Sequence, residues 1–132
     1  MKTLFFIGFM GVGKTSVSAA LGRMLKLPVI EMDQQIARNE GMTIPEIFAQ
    51  KGEGHFRQCE TALLEGLAAE STCLVSCGGG VAMRQENVAA MRRCGTVVLL
   101  IAASFIPGRP ALTNGLICMT LFLIGLVRSI LQ

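Results

Sequence analysis

Residues 8–16 read GFMGVGKTS, and how this stretch is read decides the fold. A glycine, four residues and then Gly-Lys-Thr is the spacing of a phosphate-binding loop, whose backbone N–H groups close around phosphate oxygens. The apolar run 3–7, TLFFI, leads in as a buried strand. From Thr15 onward apolar residues recur at helical spacing, so the loop stands at a strand-to-helix turn. Gly8, Gly11 and Gly13 permit close backbone approach, and the helix start adds the positive end of its dipole. The expected nucleotide contacts are Gly11, Val12, Gly13, Lys14, Thr15 and Ser16, with Lys14 reaching the β- and γ-phosphates. Thr15 offers a hydroxyl to Mg²⁺, a small hard cation held by few protein oxygens plus phosphates and water. A nucleotide and Mg²⁺ are therefore the expected ligands.

The chain has 132 residues, enough for one domain with a core yet short for a complete nucleotide-binding α/β enzyme. Its formal charge is +3, and the twelve basic residues are scattered from Lys2 to Arg128. No block marks a nucleic-acid surface, and no nucleic-acid partner is expected. The five cysteines, Cys59, Cys73, Cys77, Cys94 and Cys118, include no C-x-x-C pair, and His55 is the lone histidine. This pattern points away from a zinc site and from a disulfide framework, and toward small buried or half-buried residues in a reducing cytosol. The opening apolar stretch runs into the phosphate loop rather than into a cleavage site, so no secretory signal is read there. A cytoplasmic monomer is the expected form.

Beyond the loop, residues 16–27 place Val17, Ala20, Leu21, Met24 and Leu25 on one helical face, and Leu27-Pro28 stops the helix. Residues 29–32 read as a second strand. Glu31 and Asp33, two apart, would then project to one face at the carboxyl end of a strand, where ligands of α/β sheets collect. A helix over 34–39 stops at Gly41, and Thr43-Ile44-Pro45-Glu46 is a capping box that opens a short helix ending near Gly52. From about 53 to 70 an amphipathic helix turns Phe56, Cys59, Leu63, Leu64 and Leu67 inward. Arg57 and Glu60, three apart, fit an exposed ion pair contributing about 0.2–0.5 kcal/mol, and His55 fits a capping or surface position.

Residues 72–76 read as a third strand running into Cys77-Gly78-Gly79-Gly80-Val81. Three successive glycines at a strand end let another molecule touch backbone. A helix over 87–93 ends at Gly95, and the apolar run 96–101 suits a fourth strand buried on both faces of a parallel sheet.

In this order and spacing GFMGVGKT, EMD, EIFAQKGEGHFRQCE and CGGGV resemble the shikimate kinase family over roughly residues 3–103. The resemblance implies an α/β fold of three layers, a P-loop nucleotide-binding domain whose parallel sheet has the order 2-3-1-4, with a fifth strand left open. It implies transfer of the ATP γ-phosphoryl group to the 3-hydroxyl of shikimate, with Lys14 and Asp33 as catalytic groups. Asp33 would contact the ring hydroxyls and act as base, Arg57 would grip the carboxylate, and Gly78, Gly79 and Gly80 would line the substrate. Thr15 and Glu31 would serve the magnesium, Glu31 standing where the family usually has aspartate. Arg109, in Gly108-Arg109-Pro110-Ala111-Leu112, resembles the lid element that covers ATP. A kinase for another polyol acid such as gluconate, or an inactive nucleotide-binding product of a truncated or frameshifted gene, are the alternatives.

After Ala103 the resemblance stops. Residues 110–127 carry no charge, and Arg109 and Arg128 are the only charges after Arg93. A transmembrane helix, a buried element completing the sheet and a tail altered by a shifted reading frame compete as explanations. The last is the reading taken, and no membrane span is expected. The chain thus divides into 1–103, the P-loop domain, and 104–132, an atypical apolar tail that need not fold natively. The lid element sits too close to the fourth strand and no second carboxylate-binding arginine stands in its motif, so turnover that is poor or absent is expected.

Overall fold

The computed structural model describes residues 3–8, 14–67 and 72–100. Along the chain run β1 (Thr3–Ile7), α1 (Lys14–Leu25), β2 (Val29–Glu31), α2 (Met32–Glu40), α3 (Ile44–Leu67), β3 (Leu74–Ser76), a 3₁₀ turn (Val81–Met83), α4 (Gln85–Cys94) and β4 (Gly95–Leu99). The four strands form one parallel sheet in the order β2-β3-β1-β4, as the resemblance implies. Leu4 pairs with Leu74 on one side and Thr96 on the other, while Ile30 pairs with Val75. Parallel neighbours need crossovers, and the intervening helices supply them.

Alternation along β1 divides the core. Phe5 faces Met32, Leu64, Val75 and Met91, whereas Leu4 and Phe6 face Val17, Leu21 and Leu74. Successive strand side chains point to opposite faces, so one five-residue strand seeds both layers of a three-layer sandwich. Phe5 and Phe6 are each fully buried, and burying a side chain of this size contributes about 1.5–3 kcal/mol. A third cluster, Ile36, Ile47 and Phe56, ties α2 to both halves of α3.

The capping box forms as expected: Thr43 N–H donates to Glu46 Oε2 at 2.7 Å, and Glu46 N–H donates to Thr43 Oγ1 at 3.4 Å. Two helices meet at Gly52, whose φ of 83° a side chain would strain. Two expectations need correction. First, α2 begins at Met32, so Asp33 lies in a first helical turn rather than on a strand with Glu31. Met32 is fully buried against the Phe5 cluster. Second, β4 is not buried on both faces: Val98 alone among its residues is buried, and Leu99 is half exposed. Within the described sheet it is an edge. Gly95 ends α4 as expected, and its φ of −171° is ordinary extended backbone; a side chain there would collide with the Thr3 carbonyl, so the need for glycine is close strand approach.

Gly11, Val12, Gly13, the fifth strand and Arg109 lie outside the described residues. No helix among the described residues is long and apolar enough to cross a membrane, and the apolar run 110–127 lies outside them.

Candidate active site

At the end of β1, Gly8 has a φ of 148°, a conformation that side chains rarely adopt. Lys14 opens α1 and its Nζ donates to the Gly8 carbonyl at 2.6 Å, tying the two ends of the phosphate loop together. Thr15 Oγ1, one residue into α1, donates to Glu31 Oε2 at 3.4 Å. The end of β2 thereby meets the start of α1. Ser16 is exposed in the first turn of α1.

A second group of side chains collects over the glycines that follow β3. Arg57, one turn past the Gly52 kink, donates through Nη1 to Glu60 Oε1 at 2.7 Å and through Nη2 to Glu53 Oε1 at 3.1 Å. Its Cζ lies 5.5 Å from the centre of the Phe56 ring, within cation–π range. A Cβ on Gly80 would stand 2.8 Å from Arg57 Cζ, and one on Gly78 would stand 3.0 Å from Asp33 Oδ1 and 3.2 Å from Glu60 Oε2. Two carboxyl groups therefore converge on one spot above Gly78, and a guanidinium lies against Gly80. Gly79, exposed, spans the gap between them.

Glu60 corrects the sequence reading. The pair with Arg57 is not a solvated helix-surface contact, because Glu60 is only 1% exposed while Arg57 remains partly accessible. Glu60 Oε2 has no hydrogen-bond partner among the described residues. Burial pushes this carboxyl up from its ordinary value and the nearby Asp33 adds to the rise, while the Arg57 guanidinium opposes it. The spacing of three puts Glu60 on the same face as Arg57, but which way that face looks is set by the packing of α3 over the glycine loop and carries no local sequence signal.

Asn87 is a further residue that sequence reasoning passed over. Fully buried, it donates through Nδ2 to the Val81 carbonyl at 3.1 Å and accepts from Thr61 Oγ1 at 2.7 Å. It thus clamps the end of the glycine loop between α3 and α4. Cys77, which links β3 to that loop, reports on the whole constellation. Burial pushes its thiol up to about 12; Glu60, Asp33 and Glu31 push the same way and Lys14 opposes them. The groups expected to handle phosphate and those expected to handle the acceptor face one strand end.

A family model for shikimate kinase matches residues 10–104. The shikimate kinase of Ralstonia nicotianae is 41% identical over 102 residues, covering 77% of this chain and 54% of that protein. That of Aquifex aeolicus is 36% identical over 97 residues, covering 74% and 58%. The crystal structure of the Aquifex aeolicus shikimate kinase matches with a TM-score of 0.72 at 35% identity, over 75% of this chain and 63% of that one. The shikimate kinase of Acinetobacter baumannii in complex with shikimate matches with a TM-score of 0.74 at 28% identity, over 98% and 79%. The chain spans little more than half the length of the relatives in the sequence comparison.

Proposed function

The chain belongs to the shikimate kinase family, and from that membership we propose that it transfers the γ-phosphoryl group of ATP to the 3-hydroxyl of shikimate. The observation that carries the reading is the convergence above the glycine loop. Asp33 Oδ1 and Glu60 Oε2 offer acceptors for hydroxyl groups around Gly78, and Arg57 offers a planar two-pronged donor beside Gly80. A small hydroxylated carboxylic acid fits that set. The Acinetobacter baumannii relative was solved with shikimate bound, which supports the same ligand class here.

In this reading the phosphate loop holds the nucleotide, Lys14 neutralises charge on the β- and γ-phosphates, and Arg57 exchanges its exposed partner Glu53 for the substrate carboxylate. Asp33 accepts the proton of the attacking hydroxyl as the new O–P bond forms and the bond to the β-phosphate oxygen breaks, leaving ADP. Thr15 Oγ1 and Glu31 Oε2, 3.4 Å apart, are hard oxygen donors of the kind that suits magnesium. Mg²⁺, when bound, supplies neutralisation of the phosphate oxygens. Arg109 is assigned to covering ATP. The activity is assigned to residues 1–103, with 104–132 a separate apolar tail; the family match ending at residue 104 supports that division. A monomer acting on small molecules in the cytoplasm, without nucleic acid, completes the reading, and the four described cysteines, all free, suit a reducing compartment.

The test is ADP release by the full chain in Mg-ATP with and without shikimate, for wild type and Arg57→Ala. The reading expects release that depends on shikimate, and a shikimate KM raised at least tenfold in the variant. Release independent of shikimate in both proteins would overturn it.

A further inference from the structure

We infer that Glu40, His55 and Cys59 form a Zn²⁺ site that joins the last turn of α2 to the middle of α3. One oxygen, one nitrogen and one sulfur ligand atom from these residues lie within 4.8 Å of one another. His55 Nε2 is 2.9 Å from Glu40 Oε2, Cys59 Sγ is 3.4 Å from Glu40 Oε1, and Cys59 Sγ is 3.5 Å from His55 Nε2. Tetrahedral zinc, with bonds of about 2.0–2.1 Å to nitrogen or oxygen and about 2.3 Å to sulfur, sets ligand–ligand edges of about 3.3 Å for N–O and about 3.5 Å for edges to sulfur. The edge between Cys59 Sγ and His55 Nε2 matches already, whereas the two Glu40 contacts run to different carboxylate oxygens. Binding through one oxygen therefore needs the carboxylate to rotate until that oxygen stands about 3.3 Å from the nitrogen and about 3.5 Å from the sulfur.

The donor set chooses the metal. Thiolate and imidazole are poor ligands for Mg²⁺ or Ca²⁺ and good ones for zinc. Glu40 already attracts cations, since Lys51 Nζ lies 2.6 Å from Oε2. Lys51 is 40% exposed and Glu40 only 17%, so the ammonium can swing into water when a metal arrives while the carboxylate stays. Zinc binding also moves the Cys59 thiol proton to solvent and leaves a Zn–S bond. A groove of about 510 Å³ between α2 and α3 has Glu40 and Cys59 in its wall. It leaves room for water as the fourth ligand, as in zinc sites with three protein ligands.

The site escapes the cysteine spacing rules because its ligands do not sit in a C-x-x-C loop. His55 and Cys59 are four apart on one helical face, and Glu40 reaches them across the turn at Gly41 and the kink at Gly52. The lone histidine and the missing C-x-x-C pair point away from zinc in the sequence; the folded arrangement nonetheless brings three donor atoms of the right kinds together. The site is independent of the phosphoryl-transfer reading and lies on α3 beside, not within, the Arg57 and Glu60 pair.

Zn²⁺ alone should be titrated into the reduced full chain, with affinity read by competition against a chromogenic chelator and ligands read by X-ray absorption at the zinc edge. One zinc per chain with a single sulfur ligand is expected. Cys59→Ser and His55→Ala should each weaken binding by more than the ~10–100-fold that changes outside the ligand shell cost. Lys51→Ala should tighten it, and Cys94→Ser should leave it unchanged. Far-UV circular dichroism confirms the fold of each variant, and the absorption spectrum of wild type stands whether or not a variant folds. A zinc shell without sulfur, equal affinity in wild type and a folded Cys59→Ser, or no binding at all would overturn the proposal.

Discussion

Glu60 holds Arg57 from below: Oε1 of an acid that is 1% exposed accepts a 2.7 Å hydrogen bond from Nη1 of an arginine whose outer edge still reaches solvent. A buried carboxylate is costly unless paired. Here the cost is offset by a charge-assisted bond on one oxygen, while the other oxygen faces the space over Gly78. The pair therefore fixes the guanidinium in place with one prong and leaves the prong held by exposed Glu53 exchangeable.

Glu60→Gln should separate substrate recognition from nucleotide binding. The amide keeps the shape but loses the ionic partner, so the guanidinium gains freedom that a bound carboxylate must then remove. The shikimate KM should rise about tenfold with the ATP KM unchanged. Stability should change by about 1 kcal/mol or less, because relief of the buried charge opposes loss of the pair. Steady-state kinetics in both substrates checks this, and an unchanged shikimate KM would contradict it.

Gly80→Ala tests space rather than conformation. Gly80 has φ −94° and ψ −5°, which alanine adopts without strain, yet its Cβ would stand 2.8 Å from Arg57 Cζ. The expected outcome is a cooperative fold with a near wild-type melting temperature and shikimate affinity reduced at least tenfold. Calorimetric titration alongside thermal melting checks both. Wild-type affinity in the alanine variant would remove the Arg57 and Gly80 contact from the site.

How far the sequence reached follows from which residues interact locally. The succession of β1 and α1 and the Thr43–Glu46 cap were legible, because periodicity and capping chemistry are written within a few residues, whereas the sheet order came from the family resemblance and not from any local pattern. Glu60 was not, since an i, i+3 ion pair has one sequence signature whether it faces water or a glycine loop. The start of α2 was misplaced because Met32 reads equally well as the end of a strand, and only its burial against Phe5 and Leu64 decides the matter. The Glu40, His55 and Cys59 cluster was hidden for a different reason. It depends on the angle between two helices, which no local pattern encodes.

Cys77 supplies a prediction with a definite pH dependence. Its folded value is raised from 9.0 to about 12, chiefly by burial, so the folded state keeps the thiol proton that the unfolded chain gives up first. That contribution to stability is fully present below pH 9 and is lost as pH rises toward about 12. At pH 8 a thiol reagent should modify half-buried Cys94 well before Cys77. Peptide mass mapping after timed labelling reads the order, and equal rates at the two positions in folded protein would contradict the burial argument.

The most direct test of the central claim, that one strand end brings phosphate-side and acceptor-side groups together for transfer, is the shikimate-dependent rate of ADP release by the full chain before and after Asp33→Asn. The account predicts a shikimate-dependent rate, however slow, in the wild type. In the variant that rate should fall about a hundredfold or more while Mg-ATP binding is retained. Wild-type turnover in Asp33→Asn, or nucleotide binding in the wild type with no dependence on shikimate at any concentration, would contradict it.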